Sequence, residues 1–318
     1  MSEFSIIKQY FENLSGERDD ITLGIGDDAA LVKTDKLLAI SVDTFIENVH
    51  FPDSTCAYDI GWKSLAVNLS DMAAMGAEPC WMTLAITMPK ADHEWLAEYC
   101  RGLSALARQF KLALIGGDTS RGPLSITIQI TGIADEENTL CRHKAKAGDA
   151  IYVTGYIGDA ALGLISLQAD LNLSSTERYR LQQKLNRPQP RVKEGFVLRR
   201  FVNAAIDISD GLYADLGHIL SASEKGAVVW VKDIPVSAEY RWNKQGDNAY
   251  DLALTGGDDY ELCLTVAADK EAEFLHVARE NNIDVTKIGE ITENREYQLL
   301  VTDDKEYVLD ARSFNHFS

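Results

Sequence analysis

The sequence predicts an α/β N-terminal domain followed by an α+β C-terminal domain, from the order of its apolar patterns. In the first half, short apolar runs typical of strands alternate with longer segments of helical periodicity. In the second half, strands succeed one another after a turn-rich, charged stretch at 135–149. We place the boundary there and expect domains at 1–137 and 138–318.

The predicted elements of the first domain begin with an amphipathic helix at 1–14. They continue with a strand at 37–42, a helix near 57–75, a strand at 80–88, a helix near 92–110, and strands at 112–116 and 125–134. Polar residues alternate along the last of these strands. We therefore expect one of its faces to contact water or another subunit.

The second domain is predicted to open with a strand at 150–155 and a helix that follows Gly158. Further helices are expected near 176–186, 190–202 and 269–281, and strands at 204–209 and near 227–231, 260–267, 285–291 and 297–301. Another helix opens at the Ser-Asp-Gly turn at 209–211, where N-terminal amides favour phosphate.

Composition indicates an intracellular protein. The net charge of −18 repels nucleic acid and anionic membrane, so we expect neither as a partner, and a phosphate ligand would need Mg²⁺ to bridge it. The 5 cysteines are odd in number and form no C-x-x-C pair, which favours reduced thiols. No basic leader or run of 18 apolar residues occurs, so we expect a cytoplasmic location.

Aspartates end apolar runs at six places in the chain. The stretches are GIGDD at 24–28, SVD at 41–43, NLSD at 68–71, IGGD at 115–118, IDISD at 206–210 and TGGDD at 255–259. Any one of these aspartates alone is better explained as a helix cap or turn residue. Six together, four of them beside glycine, indicate carboxylates fixed by a rigid scaffold for Mg²⁺ and phosphate.

The standard phosphate-binding signatures are missing. The chain has no G-x-x-x-x-G-K-[ST], and GIGDDA supplies only part of the dinucleotide fingerprint. H-E-x-x-H, G-x-S-x-G and the kinase H-R-D set are missing too. What remains is a set of carboxylates with isolated cations such as Arg121, Arg142 and Lys144, a combination that suits a metal-bound nucleotide.

Six motifs in order resemble the thiamine-monophosphate kinase family. They are GIGDDAA, the stretch from Asp43 to His50, AVNLSDMAAMGAEP, IGGDTSRGPL, AIDISDGLYADLGHI and GGDDYEL. The resemblance implies an aminoimidazole ribonucleotide synthetase-like two-domain architecture and a homodimer formed through the N-terminal sheet. It also implies the final step of thiamine diphosphate biosynthesis, in which ATP phosphorylates thiamine monophosphate with the help of several Mg²⁺ ions.

The same resemblance assigns roles to individual residues. The metal ligands it implies are Asp28, Ser41, Val42, Asp43, Asp71, Asp118, Asp207 and Asp210, of which Asp71, Asp118 and Asp210 are also catalytic. The implied nucleotide contacts are Gly117, Asp118, Arg142 and Ser209, and the implied substrate contacts are His50, Asp258 and Phe314. Val42 replaces a threonine of the family pattern and Asp258 a glutamate. Three further aspartates, at 59, 159 and 215, are predicted to be caps or solvated.

Two alternatives stay open. One is another ATP-using enzyme of the same superfamily, acting on a formylglycinamidine, selenide or carbamoyl substrate. The first cysteine, Cys56, lies far from the N-terminus and no cysteine ends the chain, which disfavours the selenide and hydrogenase-maturation types. The other alternative is a non-catalytic dimerisation module that binds metal independently of nucleotide.

Overall fold

The structure is a computed structural model that describes residues 3–12, 14, 18–169, 171–302 and 305–309. The chain divides into two compact units. The first comprises Met1–Met72 and Ala77–Glu136, and the second comprises Ala73–Gly76 and Glu137–Ser318. The division after Glu136 lies one residue from the boundary that the charged stretch indicates. The short segment Ala73–Gly76 nevertheless packs with the second unit.

The first unit combines short N-terminal elements with a mixed sheet and two long helices. In chain order its elements are α1 (Glu3–Ile6), continued as a π-helix over Ile7–Phe11, β1 (Ile21–Leu23), β2 (Leu31–Val32), β3 (Leu38–Ile46), α2 (Ala57–Ala74), β4 (Glu78–Met88), α3 (His93–Gln109), β5 (Ala113–Arg121) and β6 (Ser125–Ile133).

The sheet of the first unit has the strand order β3, β6, β4, β5. β4 and β5 are parallel and connected through α3, whereas β6 is antiparallel to both β3 and β4. Buried and half-buried residues alternate along β6, as its sequence pattern predicts. On β3, the residues facing away from the buried side are exposed, Ile40 at 64% and Val42 at 59%.

Helices α2 and α3 approach each other through glycine. A Cβ on Gly61 would lie 2.1 Å from the carbonyl oxygen of Tyr99, and one on Gly102 would lie 2.0 Å from that of Tyr58. Neither glycine therefore tolerates a side chain without displacing the facing backbone. This close contact buries Tyr99 and Leu103 completely and fixes the helix that carries Asp71.

The second unit is an α+β arrangement around a larger sheet. In chain order its elements are β7 (Ala150–Thr154), α4 (Asp159–Gln168), α5 (Ser175–Asn186), α6 (Val192–Leu198), β8 (Val202–Asp207), α7 (Leu212–Ser223), β9 (Gly226–Trp230), α8 (Ala238–Asn243), α9 (Asp251–Thr255), β10 (Leu262–Val266), α10 (Glu271–Glu280), β11 (Val285–Thr292), β12 (Tyr297–Thr302) and β13 (Lys305–Glu306), with single 3₁₀ turns at Arg142–Lys144 and Val231–Asp233.

The second sheet has the order β13, β12, β9, β11, β7, β10, β8. β9 and β12 are parallel, and the other neighbours are antiparallel. Every residue of β7 and β10 is buried, which explains why both read as continuous apolar runs rather than alternating ones. The apolar side of α7, including Leu212 and Leu216, belongs to the core of this unit.

The two-domain α/β and α+β prediction is confirmed, with differences at the ends of elements. The helix predicted over 190–202 is shorter, Val192–Leu198, because the chain turns at Arg199 and enters β8 at Val202. β8 accordingly ends at Asp207 instead of 209. Short elements such as α8 and α9 have too few residues to show a helical period. No helix among the described residues has both the length and the apolar character needed to cross a membrane.

Candidate active-site residues in the two units

Ser41 and Asp71 form a pair of hard oxygen donors in the first unit. Asp71 lies in the last turn of α2, and the hydroxyl of Ser41 on β3 donates to its Oδ2 at 2.5 Å. Both residues are half-buried, so the scaffold fixes them while they stay accessible. The structure therefore brings together two of the residues that the resemblance implies as metal ligands.

The strand geometry answers the question raised by Val42. Side chains at successive strand positions point to opposite faces, so Ser41 and Asp43 share one face of β3 and Val42 points to the other. A threonine hydroxyl at position 42 would point away from Ser41 as well. The replacement by valine consequently removes no ligand from the Ser41–Asp43 face, and any metal contact of Val42 would have to use its backbone carbonyl.

Asp118 marks a second position in the same unit. It is exposed near the end of β5, and the Ser120 hydroxyl donates to its Oδ2 at 2.9 Å. The strand register aligns its neighbour Gly117 with Asp43 through Leu84 and Ile128. Because three strand spacings separate β3 from β5, about 14 Å lie between these backbones in a flat sheet. Asp118 itself lies one row further along, level with Thr44 through Ala85 and Thr127, so Asp43 and Asp118 occupy different rows of the sheet.

Gly117 has a structural reason of its own to be glycine. An added Cβ would lie 1.9 Å from the carbonyl oxygen of Leu84 on the neighbouring strand. This close approach of β4 and β5 requires glycine whether or not a phosphate binds there. The predicted nucleotide contact at Gly117 remains a prediction.

The implied substrate residue His50 is oriented by its own loop. Its Nδ1 accepts a hydrogen bond of 2.9 Å from the backbone N–H of Ile46, and its ring stacks on Phe45 with 5.5 Å between centroids. With Nδ1 acting as an acceptor, the neutral imidazole carries its proton on Nε2. Asp28 lies exposed in a bend, where its N–H donates to Asp27 Oδ1 at 2.8 Å. Asp27 is thus the turn partner of Asp28.

In the second unit, Asp215 organises the loop that carries the predicted ligands. The loop follows Asp207, the last residue of β8, and the backbone N–H groups of Ser209 and Asp210 each donate to Asp215 Oδ2 at 3.0 Å. Those two amides are engaged by a carboxylate, so a nucleotide contact by Ser209 would fall to its hydroxyl. Burial raises the pKa of Asp215 to about 7.

Asp59, Asp159 and Asp215 were predicted to be helix caps or solvated residues. None of the three is solvated, and Asp215 is not a helix cap either. All are buried, at 7%, 5% and 2% exposure. Asp215 lies inside α7, whose N-cap position is Gly211, and Asp159 Oδ1 accepts a 2.6 Å hydrogen bond from the Ser237 hydroxyl. The sequence did contain a signal for this burial: Asp215 lies between the apolar residues Leu212 and Leu216, which indicates a helix face that packs on the core.

The GGDDYEL loop uses its acidic residues in three ways. Asp258 adopts a positive φ of 71°, bonds backbone to backbone with Ser209 at 2.9 Å, and accepts from the Tyr260 hydroxyl at 3.0 Å. Asp259 accepts from the N–H of Gly158 at 2.7 Å at the start of α4, and burial raises its pKa well above the usual value. Asp258 is thus held against the Ser209 loop, and its contact with the substrate remains a prediction.

Glu261 completes this loop with a buried ion pair. The side chain of Glu261 is 4% exposed. Its carboxylate accepts hydrogen bonds from Nε and Nη2 of Arg191 at 2.6 and 2.5 Å and from the Thr154 hydroxyl at 2.6 Å. The pair connects β10 to β7 and to the start of α6. Because Arg191 and Thr154 lie 70 and 107 residues from Glu261 in the chain, sequence reasoning had no local signal for this pair.

Two implied contacts remain, Arg142 and Phe314. Arg142 is exposed in the 3₁₀ turn Arg142–Lys144, and its carbonyl oxygen accepts from the Ser223 hydroxyl at 2.8 Å. Phe314 lies outside the described residues.

The donor set fits Mg²⁺ bound together with phosphate. Among the described residues, no three His, Cys, Asp or Glu side chains are gathered to hold a metal ion by themselves. Mg²⁺ is commonly held by one or two carboxylates, with phosphate oxygens and water completing its octahedron. Pairs such as Ser41 and Asp71 suit that mode, whereas a metal cage made only of protein ligands would need more donors.

Comparison with known proteins gives the family. The model of the AIR synthase related protein N-terminal domain matches residues 26–134, and that of the C-terminal domain matches 146–302. A thiamine-monophosphate kinase of Buchnera aphidicola subsp. Schizaphis graminum is 44% identical over 99% of this chain and 99% of its own length. The chain belongs to the thiamine-monophosphate kinase family. The similarity extends over 99% of this chain and therefore includes both units.

Solved structures of the thiamine-monophosphate kinase family agree with the fold. The enzyme of Stenotrophomonas maltophilia K279a is 45% identical, covers 92% of this chain and 93% of its own, and superposes with a TM-score of 0.84. AaThiL complexed with AMPPCP and TMP is 29% identical, covers 89% of this chain and 91% of its own, and gives a TM-score of 0.75. Membership in the thiamine-monophosphate kinase family thus rests on sequence and on fold together.

Proposed function

We propose that this chain transfers the γ-phosphoryl group of ATP to thiamine monophosphate, giving thiamine diphosphate and ADP. The observation that carries the proposal is the 44% identity with a thiamine-monophosphate kinase along 99% of both chains. The AaThiL complex with AMPPCP and TMP supports it, since it joins an ATP analogue and TMP on a related chain. The hard oxygen donors of Ser41 and Asp71 are the kind of group that such a reaction needs.

The proposed chemistry requires charge control more than proton transfer. The acceptor is a phosphate oxygen, and the second pKa of a phosphomonoester is about 6, so it is already ionised near neutral pH. A strong general base is unnecessary. The barrier arises because a dianion must approach a polyphosphate, and two unit charges 4 Å apart repel by about 4 kcal/mol at an effective dielectric constant of 20.

The carboxylates would hold the ions that offset this repulsion. We assign the metal-binding role to Asp28, Ser41, Val42, Asp43, Asp71 and Asp118 in the first unit, and to Asp207 and Asp210 in the second. Bound Mg²⁺ supplies charge neutralisation and in-line alignment of donor and acceptor oxygens. Asp215 positions Ser209 and Asp210 through their amides, and Asp71 is itself positioned by Ser41.

The substrate contacts are proposed for His50, Asp258 and Phe314. His50 is oriented on its loop by the backbone N–H of Ile46, and we assign it a contact to the phosphate of thiamine monophosphate. Asp258 offers a carboxylate for the cationic thiazolium ring. We assign the nucleotide to Gly117, Asp118, Arg142 and Ser209.

We further propose a homodimer formed through the first sheet. Leu38, Ile40, Val42 and Ile46 expose apolar side chains on one face of β3 in the single chain, and burial of such a face against a second copy is favourable. We also propose a cytoplasmic location, which the use of ATP as a co-substrate supports.

A coupled ADP-release assay with Mg²⁺ tests the function. Thiamine monophosphate is compared with thiamine and with no acceptor, and the product is identified by mass. ADP release that depends on thiamine monophosphate, with thiamine diphosphate as product, is the expected result. If ADP is released only without an added acceptor, or not at all, or if only a different superfamily substrate is turned over, the roles assigned to His50, Asp258 and Phe314 are wrong.

A further inference from the structure

A basic cavity of about 410 Å³ lies in the second unit, at the end of the sheet where β8 begins. Its walls come from residues 137–146, from the turn after α6, from the start of β8 and from the residue before α10. The cations that line it are Lys144, Lys146, Arg199, Arg200 and Lys270, and Glu137 is the one carboxylate in the lining.

This concentration of positive charge is unusual for the chain. Five of the 31 lysines and arginines surround one cavity in a chain whose net charge is −18. Lys144, Lys146, Arg200 and Lys270 form no salt bridge with a carboxylate among the described residues. Like charges gathered in a concave site raise the local potential and attract anions.

Backbone oxygens hold two of the cationic groups in place. Lys144 Nζ donates to the carbonyl of Thr139 at 2.8 Å, and Lys270 Nζ donates to that of Arg200 at 3.2 Å. An ammonium group has three N–H donors, so each lysine keeps two for a ligand. The charged ends are therefore already positioned, which lowers the entropic cost of binding.

Asp149, a buried carboxylate that contacts two residues of the cavity lining, does not neutralise the cluster through an ion pair. Asp149 is 2% exposed and accepts from Asn203 Nδ2 at 3.0 Å on each oxygen and from the Lys146 backbone N–H at 2.9 Å. Neutral amide donors satisfy it, so the Lys146 ammonium is not used for that purpose.

The cavity is separate from the predicted ligands of the same unit. It is lined by Val202 and Asn203, whereas Asp207 lies four residues further along β8, about 13 Å away at the rise of a strand. Arg142 adjoins His143 and Lys144 in the chain but does not line the cavity. The proposed function assigns no contact to these cations, although Lys144 is one of the isolated cations that the sequence analysis considered for a nucleotide.

We propose that this cavity is an accessory site for a small anion whose phosphate groups carry at least two negative charges. Arginine and lysine are the side chains that bind phosphate through charge-assisted hydrogen bonds. A volume of about 410 Å³ falls within the range of small-molecule sites, roughly 300–1,000 Å³. The inference goes beyond the proposed kinase function and does not depend on it.

Calorimetric titration of the full chain with inorganic pyrophosphate, in EDTA and at low salt, tests this site. EDTA removes the metal that the acidic ligand set needs for phosphate, so binding there is suppressed. The double variant Lys146→Gln/Arg200→Gln is compared with Lys232→Gln/Arg241→Gln, which removes equal charge from exposed positions outside the cavity. Ribose 5-phosphate, titrated in parallel, distinguishes an organic phosphate from an inorganic one as the preferred source.

The expected result is one pyrophosphate per chain, with binding weakened roughly tenfold or more by the cavity variant and less than about twofold by the control. No binding to the unaltered chain, or equal weakening by both double variants, overturns the proposal. So does loss of binding in Arg142→Gln with retention in the cavity variant, because the anion would then occupy the predicted nucleotide site. Thermal unfolding checks that each variant folds, and Lys146→Gln alone replaces the double variant if that one does not.

Discussion

Removing the negative charge of Glu261 should destabilise the second unit strongly. The carboxylate receives two hydrogen bonds from Arg191 and one from Thr154, and the exposed fractions of the two ionic side chains are 4% for Glu261 and 22% for Arg191. In Glu261→Gln, the guanidinium loses its buried counter-charge and keeps only Glu194, at 3.5 Å. Breaking a buried pair in this way costs about 3–5 kcal/mol.

That loss can be measured by thermal unfolding followed by circular dichroism. A domain of 150–250 residues shifts its Tm by roughly 2–4 °C per kcal/mol, so we expect a decrease of roughly 6–20 °C. The matched control is Glu224→Gln, which removes the same charge from the Arg295 pair, 2.7 Å long but with side chains 71% and 72% exposed. Exposed pairs contribute about 0–1 kcal/mol, so the control should barely shift the Tm.

A double variant, Arg191→Leu/Glu261→Leu, distinguishes two causes of the destabilisation, the unpaired buried charge of Arg191 and the loss of side-chain packing. Replacing both members of a buried pair by apolar groups is often nearly neutral, so much of the stability should return. An equal Tm for Glu261→Gln and Glu224→Gln would refute the argument that this pair holds β7, β10 and α6 together.

Three further predictions concern single residues in the first unit. Asp71→Asn should lower turnover by about two orders of magnitude or more while the Tm changes by no more than about 2 °C. The control Asp35→Asn, at an exposed position, should leave both turnover and Tm unchanged. Normal turnover in Asp71→Asn would refute the assigned role of Asp71. Gly117→Ala should lower the free energy of unfolding in urea by about 1–3 kcal/mol, because the Cβ would meet the carbonyl oxygen of Leu84 at 1.9 Å. Gly116→Ala is the control, since its Cβ would have its nearest neighbour at 3.9 Å and should not destabilise the protein. Equal effects of the two variants would argue against the close approach. A hydrogen bond from Arg18 lowers the pKa of Asp20. The stability that this bond contributes is present above the unfolded pKa near 3.9 and is lost as the pH falls through the folded value. Asp20→Asn should therefore cost about 1 kcal/mol at pH 7 and progressively less below about pH 4, and a loss of stability independent of pH would contradict this.

Local patterns predicted the long elements of the fold well. Strands such as β4 and β6 and helices such as α2 and α3 carry enough residues for their period to show. The ends of α6 and β8 were shifted because the turn at Arg199 depends on packing in the second unit, where the Arg199 guanidinium donates to the carbonyl of Gly76 at 3.1 Å. Such contacts between distant segments leave no periodic trace.

The site residues divide in the same way. Aspartates at the ends of apolar runs were visible in the sequence, and one of them, Asp71, lies against Ser41. Asp215 was misjudged because its partners are backbone amides of a folded loop, and the sequence shows side chains rather than amide directions. Gly117 illustrates the opposite case, since a residue suggestive of phosphate binding has a sufficient reason in the packing of two strands.

Label transfer from ATP tests the central claim most directly. The chain is incubated with ATP labelled at the γ-phosphate, Mg²⁺ and thiamine monophosphate, and the products are separated and counted, with Asp71→Asn alongside. We predict that the label appears in the terminal phosphate of thiamine diphosphate, in amounts equal to the ADP formed, and that Asp71→Asn loses nearly all of it. Label found only in inorganic phosphate, or left in ATP, would contradict a kinase that acts on thiamine monophosphate.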